Sequence, residues 1–204
     1  MYNTKLIPVG ENRFLHSGKD ELYSYTVYVG EHTVRLSSGD SAWYYTLVEG
    51  QMYAMTVRGQ GNINSKYCCT VIRGYSPPNR KVEILNTNLP YINGCSTESL
   101  IPPIRLGDPT MQILYMPKHS SEQEEHIHST ARIVHILEGE ALCVVNGYEE
   151  YQLNGGDTLI LDKMVTHHFV TNESYLLCSP LHIFSSSASE YNHPMFNGTH
   201  LTNK

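Results

Sequence analysis

The stretch that decides the fold is EEHIHSTARIVHILEG, residues 124–139. It contains His126 and His128 as a His-x-His pair, continues into an apolar run rich in β-branched residues, and ends at a Glu-Gly pair. Side chains alternate between the two faces of a β-strand, so His126 and His128 are expected to point to the same side, together with Glu124. Two imidazoles at this spacing can bind one metal ion. We therefore predict a strand that presents metal ligands on one face.

A third ligand has to come from another strand, because a metal needs donors that converge on it. Downstream, Gly156-Asp157 precedes the apolar segment Thr158–Leu161, and His167 and His168 follow. Adjacent residues of a strand face opposite ways, so only one of these two histidines is expected to point at the site. On this reasoning either histidine can supply the third ligand.

The His-x-His stretch resembles the first sequence motif of the cupin superfamily. That motif is a Gly, a His-x-His pair, three or four residues, a Glu, six more residues and a Gly. His126, His128 and Gly139 match it. The Glu of the motif falls on Arg132 when it is counted back from Gly139. A guanidinium stays charged and cannot bind a metal. The resemblance therefore implies a three-histidine site, in which Glu124 or water completes the ligand shell.

The downstream segment is similar to the second cupin motif. That motif is a Gly, a strand, a Pro-x-Gly turn, a His and an Asn; Gly156, His167 and a nearby Asn match it, whereas the turn reads Asp162-Lys163-Met164 here. The motif count favours His167 over His168 as the third ligand. The resemblance covers about residues 111–172, and it implies a β-barrel with a divalent metal inside.

Arg132 needs an anionic partner if it faces the barrel interior, since a buried cation without a partner is costly. The partner can be Glu124, Asp157, or the carboxylate of a substrate held by two parallel hydrogen bonds. Glu124, or a bound water, is also placed to move a proton. Arg132 and Glu124 are therefore the candidate catalytic residues.

The first half of the chain carries a weaker copy of the same pattern. TLVEGQMYAMTV (46–57) aligns with HILEGEALCVVN (135–146) at an offset of 89 residues. Each segment reads as a strand, a turn at Glu-Gly and a second strand. Together with the resemblance, the repeat predicts an all-β protein with two cupin barrels (double-stranded β-helix or jelly roll) in tandem, in domains 1–100 and 101–204.

The two halves differ in their ligand chemistry. Nine of the eleven histidines lie after position 118. At the offset of 89 residues, Ser37, Gly39 and Pro78 stand in place of the three histidines, and Trp43 stands in place of Arg132. None of these is an ordinary metal ligand. The first barrel is therefore predicted to be free of metal.

Three neutral imidazoles with open positions suit Fe(II), and also Mn(II), Ni(II), Cu(II) or Zn(II). The resemblance implies a metal-dependent enzyme, most simply a non-haem Fe(II)-type dioxygenase that acts on a small anionic substrate. Two alternatives are a non-catalytic cupin that binds or senses a metal or a small molecule, and an isomerase or lyase that uses the metal as a Lewis acid.

Composition limits the partners and the setting. The net charge is −6 and no basic stripe is present, so a nucleic-acid partner is not expected. No apolar leader or membrane-spanning stretch is visible, and the five cysteines are not in paired metal spacing, so we expect a reduced, cytoplasmic chain. A homodimer is implied by the family. The tail holds His193 and His200, which with His182 can reach a second metal or form a surface strap.

Overall fold

The computed structural model describes residues 4–10, 14–20, 22–85, 87, 89–122, 125–184 and 199–201 of the 204-residue chain. These residues form β-strands and turns, with one 3-10 turn at Ile92–Gly94 and no α-helix among them. The predicted all-β class is therefore confirmed. No helix in these described ranges is long and apolar enough to cross a membrane.

The chain forms two compact units. The N-terminal unit is Val9–Leu85, and the C-terminal unit combines Met1–Pro8 with Asn86–Lys204. These bounds differ from the predicted domain ranges, 1–100 and 101–204, at both ends. The difference arises because the first strand, β1 (Thr4–Ile7), and the strands just after residue 86 pair with strands of the C-terminal unit.

The N-terminal unit contains antiparallel strands in two sheets. Its described strands are β2 (Phe14–Asp20), β3 (Tyr23–Val29), β4 (His32–Leu36), β5 (Ser41–Val48), β6 (Gln51–Arg58), β7 (Gly61–Ser65), β8 (Cys68–Ile72) and β9 (Arg80–Glu83). Six of them pair in the order β2-β3-β8-β5-β6-β9, and β4 pairs with β7. Along β3 every second side chain is buried, as the alternation of a half-buried strand requires. Val34, Leu36 and Val71 are part of the resulting core.

The C-terminal unit is one large sheet that carries the histidines. Besides β1, its described strands are β10 (Leu89–Pro90), β11 (Ser96–Ile101), β12 (Thr110–Met116), β13 (His126–His128), β14 (Arg132–Val145), β15 (Glu149–Asn154), β16 (Thr158–Leu161), β17 (His167–Val170), β18 (Leu176–His182) and β19 (Thr199–Leu201). Eight pair in the order β10-β11-β12-β18-β14-β17-β13-β19; β15 and β16 also pair with β14, and β1 pairs with β16. Its core includes Leu114, Val134, Phe169 and Cys178.

The two Glu-Gly pairs of the repeat have different structures. Glu49 and Gly50, with φ of 51° and 83°, form the two-residue turn of the β5–β6 hairpin, as predicted. The turn predicted at Glu138-Gly139 is wrong, because β14 continues through it for 14 residues. The pairing of β14 with β18 shifts register between Ile136 and Glu138, next to Gly139, whose φ is 86°, which marks a bulge. Before the bulge β14 pairs with β16 and β18, and after it β14 pairs with β15 and β17.

The repeat reappears in the strand pairing. β5 pairs with β8 in the N-terminal unit, and the first part of β14 pairs with β16 in the C-terminal unit. Trp43 lies opposite Thr70, whereas Arg132 lies opposite Leu161. The offset of 89 residues would place Leu159 there, so the register differs by two residues. A shift of two keeps each side chain on the same face of its strand.

Candidate metal centre

Two of the predicted ligands lie on the short strand β13. His126 and His128 are both buried, and Ile127 between them is half-buried, so the two imidazoles share one face as alternation requires. Their ring centroids are 5.0 Å apart. β13 is held between β17 on one side and β19 on the other, which fixes the direction of both side chains.

His167, at the start of β17, completes the group. Its ring centroid is 4.6 Å from that of His126 and 5.2 Å from that of His128. One ligand atom from each of the three imidazoles lies within 4.8 Å of the others. His168 is half-buried and lies on the opposite face of β17, so of the two alternatives His167 is the one in this group.

Hydrogen bonding orients the ring of His167. Its Nδ1 lies 2.8 Å from the carbonyl oxygen of Val165, and a carbonyl can only accept, so Nδ1 carries the proton. The lone pair of that imidazole is therefore on Nε2, which faces the other two histidines. A backbone carbonyl that fixes the tautomer in this way is a common support for a metal-binding histidine.

Arg132 lies among the imidazoles rather than beside them. It is only 1% exposed, its Nη1 donates to Nε2 of His128 in a very short contact, and the same Nη1 is 2.8 Å from Nε2 of His167. Burial lowers the pKa of Arg132, and the carboxylate of Glu122 acts in the opposite direction. The guanidinium is therefore a buried cation directed at the position where the imidazole lone pairs converge.

His128 and His167 are held in their neutral form. Burial is the largest cause that lowers the pKa of His128 and His167 well below the ordinary value, and the positive charge of Arg132 acts in the same direction. Neutral imidazoles are the form that binds a metal. Three such nitrogens, buried and convergent, fit a divalent transition metal in their donor chemistry, once Arg132 Nη1 leaves the space between them.

Sequence reasoning missed a fourth histidine of this site. His182, at the end of β18, is buried, and its ring centroid is 5.3 Å from that of His128. Burial is again the largest cause that lowers its pKa well below the ordinary value. It was weighed only together with the tail, in which His193 lies outside the described residues and the side chain of His200 is not described. β18 contains Pro180, and a proline in a run argues against a central strand, which hid this position.

Sequence reasoning also missed Glu122, the carboxylate of this region. Glu122 is fully buried, and neither of its oxygens has a hydrogen-bond partner among the described residues. Burial raises its pKa, and the nearby Arg132 guanidinium lowers it. The predicted acid, Glu124, lies outside the described residues. The other predicted partner of Arg132, Asp157, instead accepts hydrogen bonds from Asn154 within a turn.

The matching positions of the N-terminal unit hold different chemistry. Trp43 is buried, and its Nε1 donates to Oγ of Ser41 at 3.0 Å. The described residues of that unit contain no group of three potential metal ligands. That this unit is free of metal stays a prediction.

Comparison with known proteins supports the fold assignment. Residues 112–180 match the family model described as the cupin domain. These residues run from β12 to β18 and include Arg132, His126, His128 and His167, with His182 just beyond. No curated protein matches the chain.

Several solved structures share the fold over most of the chain. A cupin 2 conserved barrel domain protein from Leptotrichia buccalis has a TM-score of 0.51 at 12% identity, covering 88% of this chain and 96% of that one. A protein of unknown function from Pseudomonas syringae pv. tomato reaches 0.55 at 10% identity, covering 89% and 100%. Salicylate 1,2-dioxygenase from Pseudoaminobacter salicylatoxidans, solved as adducts with gentisate, reaches 0.54 at 10% identity, covering 100% and 86%. At these identities the likeness shows the fold alone.

Proposed function

We propose that this chain, whose residues 112–180 match the cupin domain, is a metal-dependent enzyme of the cupin superfamily, a non-haem Fe(II)-type dioxygenase that acts on a small anionic substrate. The metal ligands in this proposal are His126, His128 and His167. The observation that carries it is the convergence of these three buried imidazoles. Describing the N-terminal unit as a second barrel of the same type stays a prediction.

The donor set favours a transition metal over calcium or magnesium. Three imidazole nitrogens suit iron, copper, nickel, manganese and zinc, whereas the alkaline earth ions prefer oxygen ligands. When bound, Fe(II) would supply the electrons and the open positions needed to bring dioxygen and substrate together. A dioxygenase incorporates both oxygen atoms into its substrate, so this choice needs no external reductant. One solved structure of similar fold is a dioxygenase, although fold alone does not carry activity.

The remaining residues of the site define the substrate class. Arg132 is the cation that we propose binds a substrate carboxylate, because a guanidinium presents parallel donors that match the two carboxylate oxygens. A guanidinium this close to the imidazoles would hold the bound acid next to the metal ligands once its Nη1 has left the space between them. Glu124 keeps its proposed role of moving a proton during the reaction, either directly or through water.

We also propose a cytoplasmic homodimer as the setting. Five free cysteines, all buried, are what a reducing compartment favours. The dimer rests on the resemblance alone. Size-exclusion chromatography with light scattering tests it, and a monomer at all concentrations would contradict it.

The experiment measures metal content by mass spectrometry on protein purified without added metal. The parent is compared with His126→Ala/His128→Ala, and with His135→Asn as a matched control, since His135 is also buried but bonds Thr158 at 3.1 Å outside the group. We expect near-stoichiometric iron in the parent and the control, and loss of it in the double variant. Oxygen consumption with a panel of small acids and thiols then tests the reaction.

The outcomes separate the proposal from its alternatives. Zinc or nickel in place of iron, without oxygen uptake, would favour an isomerase, a lyase or a sensing module. Absence of metal from both the parent and the double variant would contradict the proposal and leave a cupin that binds or scaffolds without a metal.

A further inference from the structure

One nitrogen of Arg132 occupies the space that a metal would need. Nη1 contacts Nε2 of His128 and lies 2.8 Å from Nε2 of His167. Because Nδ1 of His167 is bonded to Val165, Nε2 is the atom of this ring that has a lone pair to offer. A lone pair that accepts an N–H cannot bind a metal at the same time. The guanidinium and a metal are therefore alternative occupants of the three-imidazole group.

The rest of the guanidinium is left without partners. Nε and Nη2 of Arg132 are buried, and neither has a hydrogen-bond partner among the described residues. Glu122 presents the complementary case, since both of its carboxylate oxygens are buried and without a described partner. Two donors on one edge of a guanidinium match two carboxylate oxygens in the strongest geometry that arginine offers. Leaving all four atoms unpaired is costly, so a change that joined them would be favoured.

Glu122 is fixed next to the strand that carries the third ligand. Its backbone N–H donates to the carbonyl oxygen of Phe169 at 3.1 Å. Phe169 is two residues after His167 on β17, and their ring centroids are 6.2 Å apart. The charges of Arg132 and Glu122 act on one another, so a movement of the Arg132 side chain can join the two groups without a change of strand pairing.

We propose that Arg132 is the cation held by the imidazoles in the metal-free protein, and that Glu122 is the positioning residue that receives the Nε and Nη2 edge of Arg132 when a divalent metal enters. The inference rests on the proposed function, because it places the metal at the same three histidines. Nη1 stays directed at the site in both states, where it is available to an anionic substrate. The site therefore holds a positive charge whether or not the metal is bound.

The test measures metal affinity rather than activity. Metal-stripped protein is titrated with Zn²⁺ alone by calorimetry and with Co²⁺ alone by visible absorption. The variants are Arg132→Met, Glu122→Gln and their combination. Arg73→Met is the matched control, because Arg73 pairs with the carboxylate of Asp40 in the N-terminal unit, which contains none of the three histidines.

Each variant has a distinct expected result. Arg132→Met is expected to bind Co²⁺ at least about tenfold more tightly, since the competing cation is gone. Glu122→Gln is expected to bind about tenfold more weakly, since the guanidinium loses the carboxylate that draws it away. The combined variant should match Arg132→Met within about threefold, because Glu122 acts only through Arg132. Arg73→Met should match the parent. If Arg132→Met does not fold, the combined variant, which leaves no buried charge unpaired, carries the comparison with the parent.

The results that overturn the inference differ from those that overturn the proposed function. Equal affinity in the parent and in the variants without Arg132 overturns the inference alone. So does a loss caused by Glu122→Gln that persists without Arg132, since Glu122 would then contact the metal itself. If His126→Ala/His128→Ala binds metal as tightly as the parent, the proposed function fails. Metal binding only in the variants without Arg132 supports the competition and overturns the proposed function.

A second measurement follows the guanidinium directly. The ¹⁵N resonances of the Arg132 side chain are recorded before and after addition of Zn²⁺ alone. We expect the Nε–H resonance to move on metal binding in the parent and to move much less in Glu122→Gln. An Nε–H resonance that stays in place in the parent while the metal binds overturns the inference.

Discussion

The two units place different side chains at the position that the repeat matches. Trp43 and Arg132 are related by the offset of 89 residues, and both are among the largest fully buried side chains of the protein. Trp43 stacks on Tyr75 with ring centroids 6.2 Å apart and satisfies its single donor with Ser41. Arg132 contacts two histidines and leaves two donor atoms without a described partner. One strand framework can therefore bury either an aromatic ring that packs or a cation that is ready to bind.

The difference shows how to recognise the functional half of a repeat. A well-packed interior contributes to stability, whereas buried groups with unused bonding capacity cost stability and are retained where they serve another purpose. Such groups occur together around β13, β14 and β17. A substitution in one unit can therefore be compared with the unchanged other unit as its control.

The largest expected effect comes from removing the tryptophan. Trp43→Ala should lower the free energy of unfolding of the N-terminal unit by about 3–5 kcal/mol, because a large cavity replaces a fully buried ring. Hydrogen exchange resolved by peptide should show the loss in β5, β6 and β8. Metal content should remain that of the parent. Loss of the metal would contradict the proposal that only the C-terminal unit binds it.

A second test compares the two Glu-Gly pairs. At Gly139, with φ of 86°, an added Cβ would collide with the backbone carbonyl oxygen of Tyr175. At Gly50, with φ of 83°, an added Cβ would have no atom within 4 Å apart from its chain neighbours. Gly139→Ala should therefore cost about 2–4 kcal/mol, the sum of backbone strain and a steric clash. Gly50→Ala should cost only about 1 kcal/mol, from strain alone. Urea unfolding measures both, and equal costs would argue against the bulge in β14.

A third test uses pH. Burial lowers the pKa of His135 to about 4, while a histidine in the unfolded chain titrates near pH 6.5. Between these values the unfolded chain binds a proton that the folded chain does not, so stability falls as the pH falls from about 6.5 to about 4. The slope is about 1 kcal/mol per pH unit for this one group. Metal-free protein should show more than this slope in the C-terminal unit, because burial also lowers the pKa of His128, His167 and His182 there.

The control for the pH test removes one histidine. His135→Asn should reduce the pH dependence of unfolding by the share of one group. The described residues of the N-terminal unit bury no histidine, so its peptides should exchange with less dependence on pH over the same range. A slope that is unchanged in His135→Asn would show that another group is responsible.

The smallest expected effect concerns the exposed arginine pair. Arg73 is 39% exposed and lies 2.5 Å from the carboxylate of Asp40. Water and salt screen the exposed Arg73, and the buried carboxylate of Asp40 keeps a hydrogen bond from the backbone N–H of Gly74, so the pair is worth about 1 kcal/mol. Arg73→Met should therefore change the urea midpoint only slightly, and added salt should reduce the difference further. A loss of several kcal/mol would show that Arg73 has a structural role that its exposure hides.

Much of the fold could be predicted from alternation and turn residues. The segment 46–57 predicted β6 and its hairpin turn, and the apolar segment Thr158–Leu161 coincides with β16. The polar strands β4 and β7 have weak patterns, and β18 contains a proline, so none of these three was predicted. The error at Glu138-Gly139 has a local cause, because a Glu-Gly pair fits both a hairpin turn and a bulge. Only the partners of β14 decide between the two.

The candidate site was predictable where the chemistry lies within one short stretch. The spacing of His126 and His128 fixes a shared face, and the motif count indicated His167. The roles of Glu122 and His182 depend on pairings that bring distant strands together, and no local pattern marks those pairings. Arg132 was expected inside the barrel, but its contact with the imidazoles follows from side-chain packing that a motif does not encode.

The pairing of β1 with β16 has a consequence for how the chain is synthesised. Thr4–Ile7 leave the ribosome long before their partners Thr158–Leu161, while the whole N-terminal unit lies between them in sequence. The N-terminal unit can therefore acquire its structure during translation while β1, with its buried residue Ile7, waits without a partner. β1 thus stays without its partner strand until Thr158–Leu161 have been synthesised.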